Sequence, residues 1–187
     1  AQYALQALVA AATRVHDSVK HRLGDIRRIR AKVKHETLAR AADPNKFKPL
    51  NRETADHSLP SCVAMALCDG VLTDAQFEDN RFLDDDVMRL TGLVEAVAEP
   101  SFEERFPTGR PGAVEIEFAD GEIIDAVEEI PLGDFERPMD EAALHEKFLG
   151  QAIPAVGEAA AGEIIAFVDA LEDQPSVAPL LQLCRQA

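Results

Sequence analysis

The sequence predicts an α+β fold: a small antiparallel sheet of about four strands with packed helices, followed by an all-helical C-terminal segment. Three observations carry that expectation. Residues 28–34 alternate, with Ile29, Ala31 and Val33 on one side and Arg28, Arg30, Lys32 and Lys34 on the other, the period of a half-buried strand. Residues 114–118 alternate likewise, Val114, Ile116 and Phe118 against Glu115 and Glu117, and Asp120-Gly121 then signals a tight turn into a returning strand over 122–130. After Asp140 only helical spacing remains, through Leu144, Phe148 and Ala152, then Ile164, Ile165, Val168 and Leu171, then a short helix near 180–184.

The other elements follow in order. Ala4, Leu8, Ala11, Ala12, Val15 and Val19 recur at helical spacing, and Gly24 stops that helix. His16 and His21 fall on its polar side and read as solvated. Residues 35–56 read as a long polar loop. Ser58 is a suitable N-cap, Pro60 suits a first turn and Gly70 suits a helix end, so residues 59–69 form an apolar helix. Thr73 and Gln76 have the spacing of a capping box. A short helix over 84–90, a strand over 93–97, a turn over 106–112 and a linker-like break over 131–138 complete the reading. Two parts result, residues 1–135 mixing strands and helices and residues 136–187 purely helical, the latter with more apolar surface than a small sheet covers. Because the helical period is already running at the first residues and no Met begins the chain, the expectation is that sequence lies upstream.

Composition narrows the function. Apolar content of 47% and charged content of 28% are those of a globular protein, and no run approaches the ~20 apolar residues of a membrane span. Twelve of the 19 Lys and Arg but four of the 34 Asp and Glu lie in residues 1–52, giving +8 there and −23 in the remainder. That acidic remainder argues against a nucleic-acid partner. The basic strand is read as the cross-strand neighbour of the acidic one rather than as a ligand surface. Cys62, Cys68 and Cys184 have no metal-ligand spacing and read as buried free thiols, which suits a reducing cytoplasm. No phosphate loop, zinc motif or nucleophile elbow is present, and no cofactor or metal is expected.

Residues 53–70 hold the chemistry. A polar approach with Lys48, Arg52, Asp56 and His57 leads into an apolar helix whose first turn is suited to an anion. Asp beside His can orient an imidazole for acid–base work; the same residues also serve as capping and loop-fixing groups.

The strings RETADHSLP (52–60) and VAMALCDG (63–70) resemble the MmgE/PrpD family, which includes 2-methylcitrate dehydratase and cis-aconitate decarboxylase. The resemblance continues through Leu72-Thr73, Gln76-Phe77, Phe106-Pro107, Pro111-Gly112, Asp120-Gly121, Pro131-Leu132-Gly133, Pro138-Met139 and Lys147-Phe148. It covers nearly the whole chain but only the C-terminal α+β part of a family member. It implies a cofactor-independent lyase (hydro-lyase or decarboxylase) or isomerase acting on a small di- or tricarboxylate, in a cleft shared with an N-terminal helical domain, in a homodimer. By that resemblance Lys48 and Arg52 bind carboxylate, His57 with Asp56 shapes or protonates the site, and Ser58 and Ser61 contact substrate. Most acid, base and Lys residues of the family site lie in the helical domain or just upstream, so the chain alone is expected to be inactive. Family members commonly carry Tyr where this chain has Ser61. The alternative is a non-catalytic interaction domain, or a separately encoded subunit, docking on a helical partner.

Overall fold

Strand β1 (Ile26–Val33) is where the charge asymmetry becomes structure. In the computed structural model, which describes residues 1–105 and 109–185, it lies between β2 (Val94–Ala98) and β3 (Gly112–Phe118), and β4 (Ile123–Glu128) closes the order β2-β1-β3-β4. The β1–β3 register sets Arg28 opposite Glu117 and Arg30 opposite Glu115. Arg28 pairs with Glu117, and Glu115 receives both Arg30 at 3.1 Å and Lys32 at 2.9 Å. The basic stripe is thus neutralised within the sheet, as its alternation against the acidic strand implied. The hydrogen bond from Lys32, then the charges of Lys32 and Arg30, hold the Glu115 carboxyl below its usual range. A lowered carboxyl stabilises the fold above its unfolded-state pKa, and that stabilisation is lost as pH falls through the folded-state value. Glu115→Gln is expected to cost about 1 kcal/mol at pH 7 and markedly less at pH 3, read from urea unfolding at each pH.

The fold is α+β with four strands, as expected, but the sheet is mixed. β1 and β3 are antiparallel, as are β3 and β4, whereas β1 and β2 run parallel. The chain reaches β2 through a long helical crossover, which delivers a strand in the same direction. Alternation reports which face a strand buries and carries no information on the direction of its neighbour.

The other face of β1 and β3 buries Ile29, Ala31, Val33, Val114, Ile116 and Phe118. Helix α1 (Gln6–Val19) lies over β3 and β4 with Leu8, Ala11, Ala12, Val15 and Val19 inward. The crossover contains α2 (His35–Ala41), α3 (Arg52–Asp56), α4 (Leu59–Asp69), α5 (Asp74–Glu78) and α6 (Asp85–Thr91). Helix α4 is buried on all sides from Leu59 to Leu67, packing on α1, α6 and β2, which explains its uniform apolarity. It runs from the Ser58 cap to Gly70, whose φ of 69° supplies the left-handed helix end. The expected capping box holds as well, the Thr73 N–H donating to Gln76 Oε1 at 2.8 Å. Beyond α4, Arg81 gathers Asp69, Asp84 and Asp86, and its hydrogen bond is the main reason the Asp86 carboxyl falls to about 2.

Three expectations change. Residues 35–56 are not a loop but contain α2, a 3-10 turn (Pro44–Phe47) and α3. These pieces are too short to show a hydrophobic period, and two of them are fixed by side-chain caps at Asp43 and Asn51. His16 is half-buried rather than solvated: its Nδ1–H donates to the Leu67 carbonyl at 2.9 Å and its ring sits against Gly70. Cys62 is buried and Cys68 partly so, burial raising both thiols to about 12, but Cys184 is exposed. Of the turn expected over 106–112, residues 106–108 lie outside the described residues, as does the Phe106-Pro107 motif, while Gly112 already belongs to β3. A short helix α7 (Pro100–Glu103) precedes it.

The chain forms two units, Ala1–Pro131 and Leu132–Ala187. The second holds α8 (Glu141–Val156), α9 (Glu158–Asp169) and α10 (Ala178–Leu183). Of its described side chains only Ala161 and Ile164 are buried apolar groups, while Leu144, Val168, Leu171, Val177 and Leu181 are exposed. Among the described residues no helix is long and apolar enough to cross a membrane.

Candidate functional site

Asn51 organises the segment that presents Asp56 and His57. Its Oδ1 accepts the Thr54 N–H at 3.0 Å, while Thr54 Oγ1 accepts the Asn51 N–H at 3.1 Å, fixing the start of α3. Helix α3 ends at Asp56, His57 caps it, and the Ser58 N–H returns to the Ala55 carbonyl at 3.0 Å. Ser58 then starts α4, its Oγ accepting the Ser61 N–H at 3.1 Å and donating to the Lys46 carbonyl. The Gln2 N–H donates to the Asp56 carbonyl at 3.2 Å. The junction of α3 and α4 is therefore tied to the 3-10 turn before it and to the first residues of the chain.

At this junction the His57 Nδ1 is hydrogen-bonded to the Asp56 carboxylate and lies 3.2 Å from the Glu53 carbonyl. Both partners can only accept, so Nδ1 carries the proton and Nε2 is left with its lone pair. Among the described residues nothing bonds Nε2. The imidazole is 44% exposed and the carboxylate 31%, so the pair is oriented by the protein and open to a ligand.

The remaining expected residues are placed differently. Lys48 is exposed on the neighbouring turn. Arg52 points to α5, 3.1 Å from Glu78 and 3.4 Å from Asp74, so its charge is already shared with two carboxylates. Ser58 is buried and occupied with its cap and the Lys46 carbonyl. Ser61 is fully buried and its Oγ has no hydrogen-bond partner among the described residues, an arrangement that costs free energy. The first turn of α4 is itself not open to an anion, since Leu59, Pro60 and Ser61 are buried and the Ser61 N–H is taken by Ser58. The structure thus brings Asp56 and His57 together with Ser58 behind them and turns Arg52 away.

Sequence reasoning missed one cluster. Lys34 was read as the last basic residue of the β1 stripe, but β1 ends at Val33 and Lys34 is the N-cap of α2. It turns inward to 4% exposure and meets Arg40 and Arg110 around one cavity. Its place at the end of the alternation was the available signal. In the second unit, ligand atoms of Glu141, His145 and Asp169 lie within 4.8 Å of one another, and the His145 Nε2–Asp169 contact at 3.3 Å accounts for that grouping as a link between α8 and α9.

With this geometry in view, comparison with known families gives a match to the MmgE/PrpD C-terminal domain over residues 1–173. The MmgE/PrpD family is generally one of lyases, chiefly dehydratases. A match over that length, joined to the α+β sheet and its helical crossover, establishes that the chain belongs to the MmgE/PrpD C-terminal domain family.

Proposed function

We propose that this chain is the C-terminal portion of a cofactor-independent MmgE/PrpD-type lyase acting on a small di- or tricarboxylate of the methylcitrate or aconitate kind. The observation that carries the reading is the Asp56–His57 pair, whose shared proton leaves an accessible Nε2. Elimination of water next to a carboxylate needs a base for the C–H proton, an acid for the departing hydroxyl and cations for the carboxylate. His57, protonated at Nε2, gives that proton to the leaving hydroxyl, and Asp56 stabilises the imidazolium before transfer. Lys48, exposed beside the junction, is the better carboxylate ligand; Arg52 reaches substrate only by releasing Asp74 or Glu78. Ser58 positions the pair and Ser61 lines the wall behind it. The base for the C–H proton comes from a helical partner domain.

Exposed Leu144, Val168, Leu171 and Leu181 in the second unit support that partner. They also support the second reading, a docking module without catalysis. Product analysis of the protein carrying this domain with its helical partner, across a panel of di- and tricarboxylates, separates the two. Turnover of at least one acid, lost in His57→Gln, is the expected result. No turnover of any acid, or turnover unchanged in His57→Gln, contradicts the catalytic reading.

A further inference from the structure

Within the second unit, the Asp140 carboxylate accepts the Ala143 N–H at 2.8 Å and fixes the start of α8. Glu141 and His145 follow four residues apart in that helix, a spacing that sets two side chains on one face. Helix α8 packs on α9, whose last residue is Asp169. Ligand atoms of all three side chains lie within 4.8 Å of one another. The His145–Asp169 contact accounts for two of them as a helix link, and Glu141 takes no part in it. Among the described residues nothing bonds the Glu141 carboxylate, and no Lys or Arg pairs with it or with Asp169.

We propose that Glu141, His145 and Asp169 bind one divalent metal ion of the zinc class, which pins the start of α8 to the end of α9. Two atoms bound to one such ion stand at most about 4.2 Å apart. His145 Nε2 and Asp169 Oδ1 are already 3.3 Å apart, so closing the set takes a small side-chain shift of exposed Glu141. Two carboxylates and a neutral imidazole balance a 2+ charge, and the imidazole favours a transition ion over magnesium or calcium. Side-chain exposures of 28% for His145 and 46% for Asp169 leave an approach for the ion and room for water as a further ligand. Residues 132–187 hold three Lys and Arg against ten Asp and Glu, a net charge of −7 that attracts a cation. Asp169 also ends α9, where the helix dipole is negative. The unit has a thin core, with Ala161 and Ile164 its buried apolar groups among the described residues, and a bound metal commonly reinforces a unit of this size. The ion joins two helices and supplies nothing to the lyase step, so the proposal does not depend on His57.

The test is a titration of the untagged full chain with Zn²⁺ and, separately, with Mg²⁺, following the His145 ring by proton–nitrogen correlation NMR. Without metal, Asp169 accepts from Nε2–H; zinc takes the Nε2 lone pair, so the neutral ring changes to the Nδ1–H tautomer. Saturable change with a dissociation constant on the order of 10 μM is expected with Zn²⁺ and none with Mg²⁺. Glu141→Gln and Asp169→Asn should each weaken zinc binding about tenfold or more, and Glu146→Gln, an exposed carboxylate beside His145, should leave it unchanged. Glu141→Gln is decisive, because that carboxylate makes no contact the described fold relies on. Zinc binding as tight in Glu141→Gln and Asp169→Asn as in the native chain would mean a lone surface imidazole and overturn the proposal. Absence of a saturable His145 change, equal saturation by Mg²⁺, or equal weakening in Glu146→Gln would overturn it as well.

Discussion

Asp56→Asn is expected to lower kcat on the acid substrate by about 100-fold while KM changes by about threefold or less. Asn at this position is neutral and can donate as well as accept, so Nδ1 of His57 is no longer obliged to carry a proton and the imidazolium that donates from Nε2 loses its counter-charge. The substitution alters no apolar packing and leaves the Gln2-to-Asp56 backbone bond in place, so the loss appears in the chemical step. His57→Gln should lose a similar amount, and the double variant should be little worse than either single one, because both residues act through one proton. Steady-state kinetics of the protein carrying this domain check all three. Additive losses would mean that the two side chains act separately.

Gly112→Ala is expected to destabilise the first unit by about 3 kcal/mol, lowering its midpoint by about 10 °C. A Cβ at Gly112 would lie 2.3 Å from the Leu8 nitrogen and 2.5 Å from its Cα. These are backbone atoms of α1, so relief requires the helix to move off β3 and to give up the packing of Leu8, Ala11 and Ala12. Gly24→Ala is the control, since nothing lies within 4 Å of its added Cβ, and it should leave the midpoint within about 1 °C. Thermal unfolding followed by circular dichroism measures both; equal behaviour of the two variants would show that α1 is not seated as closely as the structure places it.

Gly112 also shows what a sequence can and cannot disclose. Val114, Ile116 and Phe118 beyond it announce a strand by their alternation with Glu115 and Glu117, and the charges on β1 and β3 point to each other as neighbours. The caps at Ser58, Gly70 and Thr73 were legible because each rests on local chemistry. The close approach of β3 to α1 was not, because it depends on two segments about a hundred residues apart. The same holds for the parallel β1–β2 pair, the docking of His16 on Leu67, and the short helices of residues 35–56.

The site divides along the same line. Asp56 and His57 are adjacent in sequence, and their pairing could be read directly. Arg52 was expected to face an anion, yet Asp74 and Glu78 of α5 compete for it locally. Lys34 and Arg40 stand at the two ends of α2, and only the fold brings Arg110 to them from a distant segment.

The account rests on where one proton sits, and long-range proton–nitrogen correlation NMR of the His57 ring reads this directly at a pH where the ring is neutral. The structure requires the Nδ1–H tautomer in the native chain, with an unprotonated Nε2, and a shift toward the Nε2–H tautomer in Asp56→Asn. A native His57 found mainly as the Nε2–H tautomer, unchanged by Asp56→Asn, would contradict it.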